Sequence, residues 1–309
     1  MREAFIQSMC RLAAADSRIL LLTGDLGYMV MEPFRRQFPD RFLNVGVAEQ
    51  NMIGLATGLA EAGFLPYTYS IATFASLRPF EFIRNGPVLH NLPVRMVGMG
   101  AGFEYGHAGP THYGTEDIAT LRTLPNLTIV IPADPAQTVT AMEETSKLPG
   151  PVYYSLGKDD RAVLPGLAGR FELGRAQLIR AGGEIAIISM GSVSREAVAA
   201  ADELAGRGVE STVAVVSNFN PDPNDDLVEL LSNCSHAITV EAQAVSGGLG
   251  ACMASIIATH GLSCRLRALA VRTSPDGTSG SQEDRWRKHG LDRASIVSSV
   301  LAMAGAACQ

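Results

Sequence analysis

The densest run of residues able to do chemistry is Asn44-Val45-Gly46-Val47-Ala48-Glu49-Gln50-Asn51-Met52-Ile53-Gly54. A single carboxylate, Glu49, follows an apolar run and opens a segment of helical period, Gln50–Glu61, with Met52, Ile53, Leu55, Ala56 and Leu59 on one spacing. The free N–H groups at a helix start favour an anion, so Glu49 is a candidate charged group there; by position alone it reads as a plain helix-start acid. Gly54 and Gly58 lack side chains and let a neighbour approach that helix closely. A second run, Gly106-His107-Ala108-Gly109-Pro110-Thr111-His112, sets two imidazoles in a Gly/Pro loop after a strand. Imidazoles titrate near neutrality, and such loops line sites at the carboxyl edge of a sheet, although loop histidines are also often merely solvated. A third run, Ala72-Thr73-Phe74-Ala75-Ser76-Leu77-Arg78-Pro79-Phe80, offers aromatics for a core or for the cradle of a flat ligand. Arg78 and Arg161 are cations without an assigned task.

Short continuous apolar runs read as strands buried on both faces: Ile19–Leu22, Val94–Met99, Leu127–Ile131, Val152–Leu156, Ile185–Ser189, Ser211–Val216, Ala237–Val240 and Leu266–Val271. Helical patterns lie between them at Phe5–Ala15, Gln50–Glu61, Pro135–Thr145, Ser194–Ala205 and Gly247–Thr259. The alternation predicts an α/β fold of two doubly wound, mainly parallel sheets with right-handed crossovers. Turn-rich composition from Gly157 to Gly183 divides the chain into a first domain over 1–160, a linker over 161–181 and a second domain over 182–309. The polar stretch Arg272–Lys288 reads as a surface loop before a final helix, and no internal repeat is evident.

The 309 residues carry 25 Lys+Arg against 31 Asp+Glu, a formal charge of −6 that gives no basic footprint for nucleic acid. Cys10, Cys234, Cys252, Cys264 and Cys308 are scattered, without CxxC or zinc spacing, which suits a reducing cytoplasm. The first residues carry charges throughout and no long apolar core, so no signal peptide is expected, and no apolar run reaches the ~20 residues of a membrane span.

Taken in order, Gly24-Asp25-Leu26, VGVAEQN, SIATF, GPTH-x-x-x-E-D, LRTLPN, IPAD and VEAQAVSGGLG resemble segments of the transketolase family of thiamine-diphosphate enzymes, over nearly the whole chain. The resemblance implies a pyrimidine-binding domain followed by the transketolase C-terminal domain. The family's diphosphate signature, Gly-Asp-Gly followed by Asn, is absent from this sequence; Gly24-Asp25-Leu26 and Pro275-Asp276-Gly277 depart from it. The chain therefore resembles the C-terminal half of a split transketolase. Its implied partner is an N-terminal subunit that carries the diphosphate-binding domain and holds Mg2+ (or Ca2+ or Mn2+), in an α2β2 heterotetramer. No metal ligand is expected on this chain.

By the same resemblance Glu49 hydrogen-bonds the coenzyme's pyrimidine and sets its tautomer, Phe74 stacks on the ring, Leu77 and Phe80 stand where the family often has aromatics, and Leu26, with Asp25 beside it, props the bent coenzyme. The coenzyme carries the reaction and the protein orients it. His112 resembles the substrate-facing histidine of the GPTH motif. Ala108, preceded by His107, replaces a family aspartate, and Gly100 replaces a histidine, changes that would enlarge or depolarise the substrate side. Arg2 and Lys158 fall near basic family positions at the substrate mouth and are candidates for a sugar-phosphate. The implied reaction moves a two-carbon ketol unit from a ketose donor to an aldehyde acceptor. Two enzyme alternatives share the coenzyme: the β subunit of a pyruvate-dehydrogenase-type 2-oxoacid decarboxylase and a deoxyxylulose-phosphate synthase. A third alternative is a non-catalytic partner subunit. The segment around Glu241 and Gln243 is expected to serve packing.

Overall fold

The apolar runs of the sequence form the strands of two sheets in the computed structural model, which describes residues 1–272 and 277–306. The strands are β1 (Ile19–Thr23), β2 (Phe42–Asn44), β3 (Leu65–Ile71), β4 (Arg95–Met99), β5 (Thr128–Val130), β6 (Val152–Leu156), β7 (Ala176–Arg180), β8 (Ile185–Ser189), β9 (Thr212–Val216), β10 (Asn218–Phe219), β11 (His236–Ala244) and β12 (Arg265–Val271). The first sheet runs β10-β5-β6-β4-β3-β1-β2 and the second β12-β11-β8-β9-β7. All pairings are parallel except those of β10 with β5 and of β7 with β9. Both sheets have the expected α/β character. The edge strand β7 lies within the 161–181 stretch that reads as a linker.

Parallel strands are buried on both faces because the crossover helices cover both sides. In β1, Leu21 packs with Phe5, Met9 and Met142 on one face, whereas Leu20 and Leu22 pack with Met52, Ile53 and Ala56 on the other. Alternate side chains thus bind the helices Arg2–Ala15 and Pro135–Thr145 to one face and the helix Glu49–Glu61 to the opposite one. The two sheets share a core in which Ile129 and Tyr153 join Ile188, Phe219 and Met253. Strand β10 adds Phe219 opposite Ile129, and the far end of β11 docks on the GPTH loop through Ala244 N–H to Thr115 O (2.7 Å) and Gln243 Nε2 to Gly114 O (2.9 Å).

One expectation fails outright. The Arg272–Lys288 stretch is not a loop throughout: Gln282–His289 is a helix, capped reciprocally by Ser281 and Asp284, with Trp286 buried on its inner side. The chemistry of Ser281-x-x-Asp284 was present in the sequence. Residues 273–276 of that stretch, including Pro275 and Asp276, and Cys308 lie outside the described residues.

Candidate active site

Four parallel strands end together. Gly24 follows β1, Ala72 follows β3, Gly100 follows β4 and Gly157 follows β6, so their loops converge at the carboxyl edge where α/β sheets bind ligands. Beside them Glu49 is the first residue of the helix Glu49–Glu61, which has no side-chain cap. Gly46, at φ 75°, makes the turn that a side chain would strain, and Asn44 Oδ1 braces it by accepting the N–H of Asp25 (3.0 Å) and of Gly46 (3.1 Å).

The Glu49 side chain is only 1% exposed. Its Oε1 accepts Ser70 Oγ–H at 3.1 Å and its Oε2 accepts Arg78 Nη1–H at 2.7 Å. The same guanidinium lies on Phe74, its Cζ 4.4 Å from the ring centroid. Carboxylate and ring face therefore bound one slot that a flat cationic group fills.

From Phe74 the site continues as a row of rings. Phe74 and His112 meet edge to face with centroids 5.1 Å apart, and His112 and Tyr105 follow at 6.2 Å. Thr111 Oγ1 lies 2.9 Å from His112 Nδ1, which leaves Nε2 as the ring's other polar atom. Lys158 Nζ sits 4.0 Å from the Tyr105 centroid and donates to Glu104 O at 3.1 Å. Burial holds the Lys158 ammonium below its usual range, partly offset by Glu104. Burial likewise raises the Tyr105 phenol, which Arg2 pulls back. Arg2 also lines an open cleft with Tyr28 and Met29.

Five of the residues singled out in the sequence are thus brought to one row: Glu49, Phe74, His112, Lys158 and Arg2. Some are not. The Asp25 carboxylate is turned to Asn44 Nδ2 (2.8 Å) and Tyr28 Oη (2.9 Å), and those bonds lower its pKa; it braces the loop. Leu26 and Phe80 each give one side to the core, while Leu77 is 37% exposed. His107 and Ala108 face solvent.

At Gly100, where a change that would enlarge or depolarise the substrate side is expected, the Tyr105 ring packs directly against the glycine. A Cβ there would stand 2.2 Å from Tyr105 Cε2, so the tyrosine ring fills the room that the missing histidine leaves. Tyr105 is the residue sequence reasoning missed. Its only signal was an aromatic inside a Gly-rich loop. The cation Arg78, left without a task, proves to be central.

Behind the row, buried Asp117 Oδ2 accepts the hydroxyls of Tyr153 and Ser155, both at 2.8 Å, and burial raises its pKa. Among the described residues no group of three or more His, Cys, Asp or Glu could hold a metal ion. No helix among them is long and apolar enough to cross a membrane.

Comparison with known proteins names this arrangement. The transketolase pyrimidine binding domain matches residues 1–161, and the transketolase C-terminal domain matches residues 174–296. The chain belongs to the transketolase family. An apulose-4-phosphate transketolase subunit from Actinobacillus succinogenes is 32% identical over 88% of this chain and 87% of its own length. The 6-deoxy-6-sulfo-D-fructose transketolase subunit SqwH of Clostridium sp. is 33% identical over 96% and 92%. A solved split-gene transketolase, described as an inactive β4 tetramer, superposes with a TM-score of 0.87 at 31% identity, over 97% of both chains. The chain thus shares its length, domain order and fold with subunits of divided transketolases, as the sequence resemblance implied, and it is a transferase of that type.

Proposed function

We propose that the chain is the C-terminal subunit of a split thiamine-diphosphate-dependent transketolase that moves a two-carbon ketol unit from a ketose phosphate to an aldehyde acceptor. The observation that carries this reading is the slot between Glu49 and Phe74. It is one planar group thick, ends in a buried carboxylate, and already accepts a flat N–H donor. An aminopyrimidine protonated on a ring nitrogen has that shape and that donor edge, so the residues fit thiamine's ring. When bound, thiamine diphosphate supplies the carbon nucleophile and electron sink for cleaving and forming carbon–carbon bonds next to a carbonyl.

The chain's own residues do the rest. Glu49 Oε2 would accept the N–H of a protonated ring nitrogen and so fix where that proton resides. Phe74 holds the ring face and shields it from water. His112, tethered through Nδ1 to Thr111, turns Nε2 to a substrate hydroxyl, as acceptor or donor. Tyr105 closes the channel over Gly100 and so limits the width of the substrate. Arg2 and Lys158 line the far end of the row, where they favour an anionic substrate terminus; Lys158 acts as a point charge, without the forked grip of an arginine. The diphosphate and its divalent cation, Mg2+ by chemistry, fall to an N-terminal subunit in an α2β2 assembly, a reading supported by the departure of Gly24-Asp25-Leu26 from the family's Gly-Asp-Gly signature.

The test is co-expression with a neighbouring reading frame that encodes Gly-Asp-Gly…Asn, followed by assay over several ketose phosphates. Coenzyme-dependent ketol transfer by the pair, and none by either chain alone, is expected. Turnover of pyruvate without ketose turnover, or coenzyme and metal retained by this chain alone, would overturn the proposal.

A further inference from the structure

Arg78 lies just after the short helix Ala72–Ser76, beside buried Pro79, and is the cation that touches both walls of the slot. A guanidinium is flat, delocalised and cationic, and presents N–H donors along its edge. An aminopyrimidine protonated on a ring nitrogen has the same three properties. The Glu49 Oε2 position at 2.7 Å and the Phe74 face at 4.4 Å serve one such group at a time.

We propose that Arg78 is an internal stand-in for the coenzyme's aminopyrimidine: it fills the slot in the free chain, keeps the Glu49 carboxylate aligned, and must be displaced before coenzyme binds. The inference rests on the coenzyme reading of this site and adds an internal competitor to it.

The energetics suit a contact that forms readily and yields. A carboxylate 1% exposed is costly to leave with a single hydroxyl partner, so a cation beside it is favoured while the slot is empty. Arg78 itself is 42% exposed, so its side chain needs only to swing into water to vacate the slot. Pro79 is buried and Leu77 exposed, so the backbone is anchored on one side and the movement is confined to the side chain. An internal competitor weakens apparent affinity by the fraction of time the slot stands open. The positioning role follows from the same contact, since a coenzyme arriving at a preset carboxylate meets it already in the right rotamer.

The experiment uses the full chain and the free hydroxymethyl derivative of thiamine's aminopyrimidine half, which needs no diphosphate site. Affinity is measured by NMR titration for wild type, Arg78→Met, Arg78→Lys, Glu49→Gln and the Glu49→Gln/Arg78→Met pair. Arg78→Met should bind about tenfold more tightly than wild type, as expected when the open state is a tenth of the population. Arg78→Lys, which keeps the charge but loses the planar fork, should fall between them. It carries the same comparison if the methionine variant does not fold. In the Glu49→Gln background Arg78→Met should bring no gain, because the two act on one group. In wild type the Arg78 guanidinium resonances, shifted by the Phe74 ring, should move toward free-arginine values as the fragment is added. Equal or weaker binding by Arg78→Met, with Glu49→Gln still harmful, would overturn the stand-in and leave the coenzyme reading intact. Absence of binding in every variant, or indifference to Glu49→Gln, would overturn both.

Discussion

Each domain buries one glutamate against the first turn of a helix, and the two have opposite fates. Glu49, in the first domain, bonds a serine hydroxyl and a half-exposed arginine, and one edge faces a slot. Glu241, at the end of β11, accepts the backbone N–H groups of Leu249 (2.7 Å) and Gly250 (2.8 Å) at the start of the helix Leu249–His260. Glycines enclose it: a Cβ on Gly248 would stand 2.1 Å from Glu241 Oε2. One carboxylate has its hydrogen-bonding capacity committed to its own backbone and becomes a cap. The other is bonded by a half-exposed arginine side chain at the candidate site. Residue type and burial are shared, but Glu49 opens its own helix whereas Glu241 caps another helix from a strand, so the two differ in which groups bond their lone pairs.

Exchanging each carboxylate for its amide tests that contrast. Glu49→Gln should lower ketol transfer of the assembled enzyme by at least about 100-fold, the scale of a lost proton-directing group, while the melting temperature of the chain moves little. Glu241→Gln should leave coenzyme affinity near wild type; a loss as deep as that of Glu49→Gln would erase the distinction.

Stability should answer oppositely. Burial raises the Glu241 carboxyl from 4.5 to about 7, with Leu249, Gly250 and Arg122 pulling it down. The folded chain therefore holds that proton more tightly than the unfolded one. The contribution is full below about pH 4.5 and is lost as pH rises through about 7. Denaturant midpoints of wild type should fall between pH 5 and pH 8, by up to about 3 kcal/mol in unfolding free energy. Glu241→Gln should flatten that slope, with a pH-independent cost of about 1 kcal/mol for a lost backbone acceptor. An unchanged slope would show that other groups govern it.

The smallest effect belongs to the slot's wall. Phe74→Leu keeps an apolar surface but loses the ring face, so aminopyrimidine binding should weaken roughly threefold to tenfold, the scale of one aromatic stacking contact. No change would mean that the ring is held from the carboxylate side alone.

Legibility in the sequence followed burial. Val152–Leu156 and Ile185–Ser189 are apolar on both faces and stand as read, as do the helices Pro135–Thr145 and Ser194–Ala205. Strand β3 was missed although it is central, because Pro66 and the polar Thr68 and Ser70 break its apolar run. Tertiary contacts supply what its composition hides: Ser70 turns its hydroxyl to Glu49. Strand β10 is two residues long and exists only through its pairing with β5. For the candidate site, motif order singled out Glu49, Phe74 and His112, which the structure brings together. Tyr105 was missed because its placement depends on the absent Cβ of Gly100, five residues earlier, which only a folded turn brings under the ring.

The sequence by itself determined the two α/β sheets and the family and singled out the acid of the candidate site, because burial periodicity and motif order are local properties of the chain. The tertiary structure alone decided which carboxylate is bonded by a half-exposed side chain, which cation occupies the slot and which ring packs over Gly100. Those depend on distances between residues far apart in the chain, and no local pattern encodes them.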